Sequence, residues 1–572
     1  MADQPSSRID REAVAKTEIG VTAISKGTVI FLVSFFIVTL VTVPTIQLVL
    51  EWRANQRGER SGPPTATTIL TAIPESGRVL MASSDLGLWG RITAANAVLL
   101  RHIDAYEEQL EEESFLSQQA IPRVQAFTAR YLGLGNEKAY LGRDGWLFYR
   151  ADVDYVTGPS FLDERRLRAR AMAGSELARP PQPDPRKAIL DFQQQLAERG
   201  IELVLVPTPV KPVIEPDRFS RAYTRTSPPL HNPGYARFIQ EIRDAGVKVF
   251  DPTDLLADWR TGEARSPFLA TDTHWRPEPM QAVAQALASY LRENIPLPSA
   301  NQAYRFEAET LSGEGDIVTM LKLPPDQTLY PPETVTLRVV LNPGGEIWQP
   351  TRAAGVLLLG DSFSNIFSLA GMNWGSSAGF PEQLSAELGL PIDMILRNDA
   401  GARATREMLA RDLASGRDRL EGKQVVVWQF AVRELATGDW TLFDLTPGVP
   451  RESHFYAPPP GAEPVVVEGW IQAVSPVPRP GSVPYRDHVF SVHLTDITGE
   501  TVPVGAEAVV YMRSMADGVL TPVSRWRSGE KVRLSLRSWE DVSEYYERYN
   551  RSELDDFDLQ LETPAWGEPI NP

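Results

Sequence analysis

Hydrophobic positions in the middle of the chain come in short, largely apolar runs separated by stretches with helical spacing. The apolar runs cover residues 201–207, 247–250, 356–359 and 424–430, and the helical stretches cover 187–199, 233–245 and 277–294. Largely apolar runs are typical of strands buried on both faces, which occur in parallel sheets covered by helices. The pattern therefore predicts an α/β fold with a mostly parallel sheet, in which ligands lie beyond the carboxyl ends of the strands.

The pattern changes after residue 460, where apolar and polar positions alternate in short segments. These segments cover residues 465–474, 488–494, 508–512 and 531–536, with turn residues between them. Alternation of this kind predicts an all-β module over residues 461–572, either a sandwich or a small barrel. Its aromatic residues leave two interpretations open, a carbohydrate-binding module and a packing or interaction module.

Residues 27–50 contain no charged residue. At ~1.5 Å per residue this run is long enough to cross a ~30 Å hydrocarbon layer. It is longer than the apolar part of a usual signal peptide and no clear cleavage site follows, so we predict an uncleaved transmembrane anchor. Basic residues before the run favour a cytoplasmic tail at 1–26. Residues 51–134 are then a membrane-proximal linker and helical region, and the rest of the chain is predicted to be extracytoplasmic.

Charge and cysteine content exclude several classes of function. The chain has 57 Lys and Arg residues against 74 Asp and Glu residues, a net charge of −17. Such a surface repels phosphate backbones, so we predict no nucleic-acid partner. The absence of cysteine excludes disulfides, thiolate zinc sites and a cysteine nucleophile.

The strongest local signal for chemistry is the segment VLLLGDSFS at 356–364. An apolar strand runs directly into Gly360, Asp361 and Ser362, and a helix start follows. The strand end puts the serine at the edge of the sheet, and the helix N-terminus supplies N–H groups and positive potential for an oxyanion. The simpler interpretation is that Ser362 caps a helix.

A serine nucleophile needs a base, and His274 is the best candidate among the six histidines. It follows Asp272 by two residues in TDTHW, a loop before a predicted helix. The carboxylate can hold the imidazole so that its other nitrogen is free to take the serine proton. A D-x-H pair is equally compatible with a metal half-site or a helix cap. Further ligands in a suitable place are missing from the sequence, so we predict no metal and no cofactor.

Together, the GDS and D-x-H motifs define the SGNH hydrolase superfamily, although here D-x-H precedes the serine. TDTHW followed by GDSFS, with GWLFYR upstream and VVVWQFAVREL downstream, resembles the alginate O-acetyltransferase family of AlgJ and AlgX proteins. The resemblance implies an SGNH hydrolase-like acetyltransferase domain, which we predict over residues 135–457. It further implies that Ser362 is the nucleophile, His274 the general base and acid, and Asp272 the residue that orients His274.

The resemblance also implies a function in the periplasm, at the inner membrane. Family members transfer acetyl groups to hydroxyls of an exported polysaccharide through a serine acyl-enzyme, and a membrane-bound O-acyltransferase partner supplies the acetyl group. Superfamily oxyanion holes combine the nucleophile's N–H with a glycine N–H and an asparagine side chain, for which Asn398 and Gly401 in RNDAGAR are candidates. Lys211, just past a strand end, is predicted either to line the site or to be an exposed loop residue.

Two other functions remain open at this point. The same triad would serve a carbohydrate esterase, because the outcome depends on whether water or a sugar hydroxyl reaches the acyl-enzyme. A non-catalytic glycan-binding scaffold of a secretion complex is the third possibility, against which the intact Ser, His and Asp set argues. The candidates for stacking on sugar rings, each with core packing as the alternative, are Trp146, Tyr149, Trp275 and Trp374.

Overall fold

The computed structural model describes most of the chain from residue 115 onward and part of the chain before it. The described residues are 25–56, 72–81, 89–93, 95–96, 98–100, 103, 106, 115–172, 181–262, 266–398, 401–414, 416, 418–448, 454–478, 480, 483, 485–526, 530–554 and 556–570. The chain forms two compact units, Met1–Val124 and Gln125–Pro572. Residues 1–24 of the predicted tail and the acidic stretch of the predicted helical region at 107–113 lie outside the described residues.

The first unit contains helices α1 (Lys26–Gln56) and α2 (Ala72–Met81). Helix α1 has 31 residues, a length of roughly 46 Å. It is long and apolar enough to cross a membrane by length and composition, a test that a signal sequence near an N-terminus also passes. The predicted apolar segment at 27–50 therefore lies within one helix.

The second unit begins with helix α3, which starts just before the unit boundary, and continues into an α/β region. Its strands are β1 (Ala139–Leu141), β2 (Leu147–Tyr149), β3 (Glu202–Thr208), β4 (Lys248–Val249), β5 (Arg305–Gly313), β6 (Glu333–Leu341), β7 (Val356–Gly360), β8 (Asp393–Leu396) and β9 (Val425–Ala431). Its helices are α3 (Phe115–Phe127), α4 (Arg150–Thr157), α5 (Glu164–Met172), α6 (Pro185–Glu198), α7 (Lys211–Ile214), α8 (Pro216–Phe219), α9 (Tyr235–Asp244), α10 (Thr253–Gly262), α11 (Pro277–Asn294), α12 (Asp316–Met320), α13 (Ser362–Asn365), α14 (Phe380–Leu388), α15 (Gly401–Ala414) and α16 (Glu434–Thr437).

Five strands form a wholly parallel sheet in the order β4-β3-β9-β7-β8. Every residue of β7, β8 and β9 is buried, as expected for strands covered by helices on both faces. The predicted parallel sheet is thus confirmed, and its four predicted strands are present. Sequence analysis missed β8, because it is short and begins with the buried, charged Asp393.

Two antiparallel pairs accompany the sheet. Strands β1 and β2 form a short hairpin, which agrees with the turn and aromatic strand visible in YLGRDGWLFYR. Strands β5 and β6 form a two-stranded ribbon with nine paired positions. The chain leaves β5 at Gly313 and enters α12 at Asp316, and this turn brings an acidic residue to the loop of the D-x-H motif.

The all-β part is a closed barrel. It comprises β10 (Val465–Val474), β11 (His488–Gly499), β12 (Ala506–Ala516), β13 (Val519–Leu520), β14 (Lys531–Ser538), α17 (Glu540–Tyr546), β15 (Asn550–Ser552), α18 (Phe557–Leu561) and β16 (Ala565–Pro569). Strands β12, β16, β14, β10 and β11 follow one another around the barrel, and β11 pairs again with β12. A sandwich and a small barrel were both predicted, and the barrel is correct. Its connectivity, with β12 and β16 parallel, matches that of OB-folds. We call residues 465–569 the C-terminal barrel.

A buried ion cluster joins the C-terminal barrel to the α/β region. Arg419, with 4% of its side chain exposed, contacts Asp393 at 2.8 Å and Glu547 of the barrel at 2.7 Å. Burial raises the pKa of Glu547, but the charges of Arg419 and Arg352 outweigh it and lower this pKa to about 2. The ionised carboxylate of Glu547 therefore stabilises the contact between barrel and α/β region.

We predict that Glu547→Gln lowers the free energy of unfolding at neutral pH by about 3 kcal/mol, because it breaks a buried ion pair. The folded-state pKa of Glu547 is depressed, so its contribution is present above the ordinary value of 4.5 and is lost as the pH falls towards 2. Urea unfolding followed by tryptophan fluorescence, from pH 7 downward, measures this. The difference from the parent should shrink below pH 4.5. The exposed Glu544 lies on the same helix, and Glu544→Gln should match the parent throughout; an equal loss in both variants would contradict the assignment.

Candidate active site

The GDS motif forms a strand–helix junction at the carboxyl edge of the sheet. Strand β7 ends at Gly360, and α13 begins at Ser362, which is 3% exposed. The Asp361 side chain caps α13 by accepting a hydrogen bond from the Phe363 N–H at 2.9 Å. Gly360 is required by close packing, because a Cβ there would lie 2.5 Å from Ser364 Oγ.

Asp361 is tied to the neighbouring strand β9. Its N–H donates to Gln429 Oε1 at 3.0 Å, and Gln429 Nε2 donates back to Asp361 Oδ1 at 2.9 Å. The Ala431 N–H donates to Asp361 Oδ2 at 2.6 Å. These three hydrogen bonds hold Asp361, the residue before Ser362, in one place relative to the sheet.

The D-x-H motif lies at the tip of a tight loop. The loop closes through a bridge between Phe268 and Trp275 and a hydrogen bond from the Leu269 N–H to the His274 carbonyl at 3.1 Å. Trp275 Nε1 donates to the Phe363 carbonyl at 3.0 Å. The rings of His274 and Phe363 contact each other with centroids 5.0 Å apart. The fold therefore brings the His274 loop against the residue that follows Ser362.

Asp272 and His274 form a buried hydrogen-bonded pair. The distance from Asp272 Oδ1 to His274 Nδ1 is 2.7 Å, and both side chains are at most 2% exposed. The other carboxylate oxygen, Oδ2, accepts hydrogen bonds from Trp374 Nε1 and from the Asp316 N–H, each at 2.9 Å. Both oxygens of Asp272 are therefore held by the protein, so the imidazole has a fixed partner.

The electrostatics of this pair follow from burial and from its short hydrogen bond. Burial raises the pKa of Asp272, but the hydrogen bond and charge of His274 outweigh it and lower the value to about 2. Burial lowers the pKa of His274, while the hydrogen bond and charge of Asp272 raise it above its ordinary value. A proton arriving on His274 is thus stabilised by an ionised neighbour.

The second imidazole nitrogen is available. Among the described residues, none forms a hydrogen bond with the buried Nε2 of His274. Because Nδ1 faces Asp272, the neutral ring carries its proton on Nδ1 and presents Nε2 as a lone-pair acceptor. A buried, oriented imidazole of this kind can act as a general base towards a hydroxyl group that reaches Nε2.

A third ionisable side chain, that of Asp316, lies beside Asp272 and His274. It was not among the residues predicted from the sequence. The ligand atoms of Asp272, His274 and Asp316 lie within 4.8 Å of one another. However, the ligand atoms of one tetrahedral metal ion lie more than about 3 Å from each other. Asp272 Oδ1 and His274 Nδ1 are 2.7 Å apart, which is the spacing of a hydrogen bond. Burial and the charge of Asp272 raise the pKa of Asp316 to about 6. Its carboxylate accepts hydrogen bonds from the N–H and Oγ1 of Thr273 at 2.7 and 2.8 Å, so it shapes the loop.

The two oxyanion candidates both lie next to the strand–helix junction. A Cβ on Gly401 would lie 2.5 Å from the Cβ of Asp361, so the start of α15 touches the residue before Ser362. Asn398 is 6% exposed, and its Oδ1 accepts a hydrogen bond from Asn365 Nδ2 at 2.9 Å. Its own Nδ2 is buried and has no hydrogen-bond partner among the described residues. Asn398, with this unused N–H donor, therefore lies beside Asn365, which is one helical turn after Ser362 in α13.

Lys211 is buried, so the predicted alternative of an exposed loop residue is wrong. Its Nζ donates to the carbonyls of Leu147 at 2.8 Å and Ala270 at 3.2 Å. Burial lowers the pKa of Lys211 to about 8, although the charges of Asp272 and Asp316 oppose this. Lys211 thus ties β2 to the backbone two residues before Asp272.

The tryptophans proposed for sugar stacking belong to the core. Trp275 and Trp374 are fully buried and Trp146 is 8% exposed, so core packing is the correct alternative for these three. Tyr149 is half-buried and lies beneath the Arg433 guanidinium, 5.5 Å from its ring centroid. Trp374 has a polar role as well, because its indole N–H binds Asp272.

Some of the residues that hold the site had a signal in the sequence and others had none. Gln429 is a polar residue inside an otherwise apolar strand, and that exception marks it as a buried hydrogen-bonding partner. Asp316, Trp374 and Asn365 reach the site from segments whose local pattern carries no such exception.

The fold and the site together define the class of protein. The parallel sheet, the serine at the strand–helix junction and the Asp–His loop are those of an SGNH hydrolase-like fold. The family described as "SGNH hydrolase-like domain, acetyltransferase AlgX" matches residues 139–432, about half of the chain. The chain belongs to this acetyltransferase family.

Individual relatives agree with the family. The probable alginate O-acetylase AlgJ of Pseudomonas aeruginosa is 29% identical over 320 residues, which cover 54% of this chain and 74% of that protein. The protein of the same name from Azotobacter vinelandii is 24% identical over 352 residues, covering 59% and 81%. Among solved structures, the O-acetyltransferase domain of Pseudomonas putida AlgJ aligns with a TM-score of 0.40 and 25% identity, covering 53% of this chain and 93% of that one.

We predict that Trp374→Phe lowers the free energy of unfolding by about 2 kcal/mol, because it removes a hydrogen bond to a buried charged group. Trp348→Phe is a matched control, since Trp348 is also buried but donates to a neutral hydroxyl, Ser385 Oγ, at 2.9 Å. That variant should lose only about 1 kcal/mol. Denaturant unfolding of both variants measures the difference, and equal losses would mean that the indole N–H of Trp374 adds nothing to the stability of the carboxylate.

Proposed function

We propose that this protein is a membrane-anchored, extracytoplasmic O-acetyltransferase that acetylates hydroxyl groups of an alginate-like polysaccharide. A membrane-bound O-acyltransferase partner would deliver the acetyl group, as the family resemblance implies. In this proposal Ser362 is the nucleophile, His274 the general base and acid, and Asp272 the residue that orients His274. The chain's membership of an acetyltransferase family supports the reaction class.

The observation that carries the proposal is the buried Nε2 of His274. It has no hydrogen-bond partner among the described residues, while Nδ1 is held by Asp272 at 2.7 Å. Leaving a buried polar atom unpaired costs about 1–3 kcal/mol. A buried polar group without a partner calls for an explanation, and a catalytic role is one such explanation. In this proposal Nε2 receives the proton of the Ser362 hydroxyl.

In the first step, Ser362 Oγ attacks the acetyl carbonyl carbon of the donor and its proton passes to His274 Nε2. The carbonyl oxygen, on which negative charge develops, accepts hydrogen bonds from the Ser362 N–H, the Gly401 N–H and Asn398 Nδ2. Asp272 stabilises the imidazolium that forms. The donor's leaving group then takes the proton from Nε2 and departs, which leaves an acetyl ester on Ser362.

In the second step, a sugar hydroxyl takes the place of the leaving group. Its proton passes to His274 Nε2 while its oxygen attacks the acetyl ester. The tetrahedral intermediate collapses, the bond to Ser362 Oγ breaks, and Oγ regains the proton from Nε2. Water in place of the sugar hydroxyl gives acetate instead, which is the esterase reaction.

The acceptor is assigned by analogy with relatives. The proteins from Pseudomonas aeruginosa and Azotobacter vinelandii are named probable alginate O-acetylases. Their alignments extend over 74% and 81% of those proteins, which supports a shared acceptor class. We therefore propose an alginate-like chain of acidic sugars as the acceptor.

We predict that purified full-length protein in detergent cleaves a chromogenic acetyl ester and transfers the acetyl group to alginate oligomers. Ser362→Ala should lower both rates at least about 10⁴-fold, because the residues of a triad act as a unit. Absorbance measures ester cleavage, and mass spectrometry of the oligomers measures transfer. The chromogenic ester takes the place of the partner-delivered donor.

Ser364→Ala is the matched control, because Ser364 lies two residues away and its hydroxyl donates to Gln429 Oε1. It should retain most of the transfer activity. Release of acetate with no acetylated oligomer would favour the esterase. A Ser362→Ala variant with the parent's rates would refute the nucleophile assignment.

The membrane anchor is a separate proposal based on α1. We expect the protein to stay in the membrane fraction after an alkaline carbonate wash and to keep the full mass of 63.5 kDa, because the uncharged helix remains in the hydrocarbon. Fractionation and mass spectrometry of the mature protein measure this. The double variant Phe35→Arg, Val38→Arg should move the protein out of the membrane fraction. A shorter mature mass, cut after the apolar segment, would identify a cleaved signal sequence instead.

A further inference from the structure

The C-terminal barrel touches the α/β region through two loops that meet the candidate active site. One loop, residues 475–487, joins β10 to β11, and the other, residues 539–564, joins β14 to β16. In OB-folds the corresponding two loops bind the ligand. In this protein both loops contact residues that hold the proposed catalytic groups.

The loop at 539–564 holds the backbone of Asn398. Asn550 Oδ1 accepts a hydrogen bond from the Asn398 N–H at 3.1 Å. The preceding side chain, Arg397, is 6% exposed and donates to the Tyr549 carbonyl at 3.0 Å and the Arg551 carbonyl at 3.4 Å. Arg397 makes these contacts as a buried cation, so it depends on the carbonyls of the barrel for its hydrogen bonds.

The same loop contributes to the orientation of the Asn398 amide. Asn365 Nδ2 donates to Asn398 Oδ1 at 2.9 Å and also to the Arg548 carbonyl of the barrel at 3.4 Å. With Oδ1 bonded to Asn365, the Asn398 amide presents Nδ2 as a buried donor without a partner among the described residues. The barrel thus fixes both the backbone and, through Asn365, the side chain of Asn398.

The loop at 475–487 acts on the other side of the site. Arg486 Nη1 donates to Asn373 Oδ1 at 2.7 Å, and the Arg486 N–H donates to the Gly371 carbonyl at 3.0 Å. Asn373 has a φ of 66°, in the left-handed region, which is uncommon for residues other than glycine. It directly precedes Trp374, whose indole N–H binds Asp272 Oδ2. The contact from Arg486 therefore supports the turn that aims Trp374 at the acid of the Asp–His pair.

We propose that the C-terminal barrel is a positioning element of the active site, in which Asn550 positions the oxyanion donor Asn398 and Arg486 positions Trp374 behind Asp272. This inference rests on the proposed function. It assigns the barrel a role in every turnover, including turnover of a small ester that touches no polysaccharide. A barrel that only bound glycan would affect polymeric acceptors alone, and this difference makes the two roles separable.

The test uses the full-length protein and the chromogenic acetyl ester without any polysaccharide. Asn550→Leu removes the acceptor for the Asn398 N–H, and we expect acylation, seen as the burst of chromophore, to slow at least about 10-fold with KM little changed, since small displacements of catalytic groups cost rates of this order. Asn550→Asp keeps an acceptor oxygen among neighbouring cations and should retain most of the rate. Arg486→Ala, a change at a partly exposed side chain, should also slow the burst.

Three controls make the outcome decisive. Val504→Ser changes a fully exposed barrel residue and should match the parent, and thermal unfolding identifies any variant that fails to fold. If Asn550→Leu does not fold, Arg486→Ala carries the test. Ser362→Ala must abolish the burst; if it does not, the proposed function fails and this inference with it.

With an intact Ser362 requirement, three results would overturn the inference alone. The first is a normal burst in both Asn550→Leu and Arg486→Ala. The second is a loss confined to transfer onto alginate oligomers, which would indicate glycan binding. The third is an equal loss in Asn550→Leu and Asn550→Asp, which would mean that Asn550 serves packing and not hydrogen bonding to Asn398.

Discussion

The buried carboxylate of Asp272 imposes the constraint around which the site is built. An ionised group that is 1% exposed must have its oxygens satisfied by donors, because an unpaired charge in the interior is very costly. The donors are His274 in the same loop and two groups from distant segments, the turn into α12 and the turn before α14. Pairing the oxygens of this one carboxylate therefore brings together the His274 loop, the turn that follows strand β5, and the connection before α14. The same convergence engages His274 Nδ1, while His274 Nε2 has no hydrogen-bond partner in the described part of the chain.

The serine is held by a second set of contacts, of a different physical kind. Here a polar side chain within a buried strand, Gln429, forms two hydrogen bonds with Asp361 on the adjacent strand–helix junction. These bonds are buried and mutually oriented, so the junction cannot shift without losing all of them at once. The proposed nucleophile, Ser362, thus belongs to the sheet, while the proposed base, His274, belongs to a loop that is docked onto it through Trp275 and Phe363.

Some residues of the C-terminal barrel pack into the hydrophobic core of the α/β region, while the barrel interior has a core of its own. Tyr485, Val489 and Trp539 belong to the core cluster that contains β7 and β9. The buried ions Arg419, Asp393 and Glu547 add charge pairing at this contact. Asn550 accepts a hydrogen bond from the Asn398 N–H and Arg486 donates one to Asn373, so the contact extends to the candidate site. Packing, charge and hydrogen bonding therefore act at one interface, which couples the stability of the barrel to the geometry of the site.

Sequence alone determined the parallel sheet, because strands buried on both faces are largely apolar, as Val356–Gly360 is throughout and Val425–Ala431 is apart from Gln429. It also determined the serine junction and the Asp–His spacing, since each is contained in a few consecutive residues. The family match at 139–432 agrees with the resemblance inferred from those motifs. These are local properties, and local patterns express them directly.

Only the tertiary structure decided which distant side chains complete the site and whether the β segments close into a barrel. Asp316, Trp374 and Asn550 are ordinary residues in their own segments, and their roles arise from partners 44, 102 and 152 positions away in the chain. The aromatic rings of Trp275 and Trp374 are suited either to stacking on a sugar or to packing in a core. Both side chains are fully buried, so they pack in the core. A hydrogen bond depends on where two groups meet in space, and a sequence pattern records only what lies next to each group along the chain.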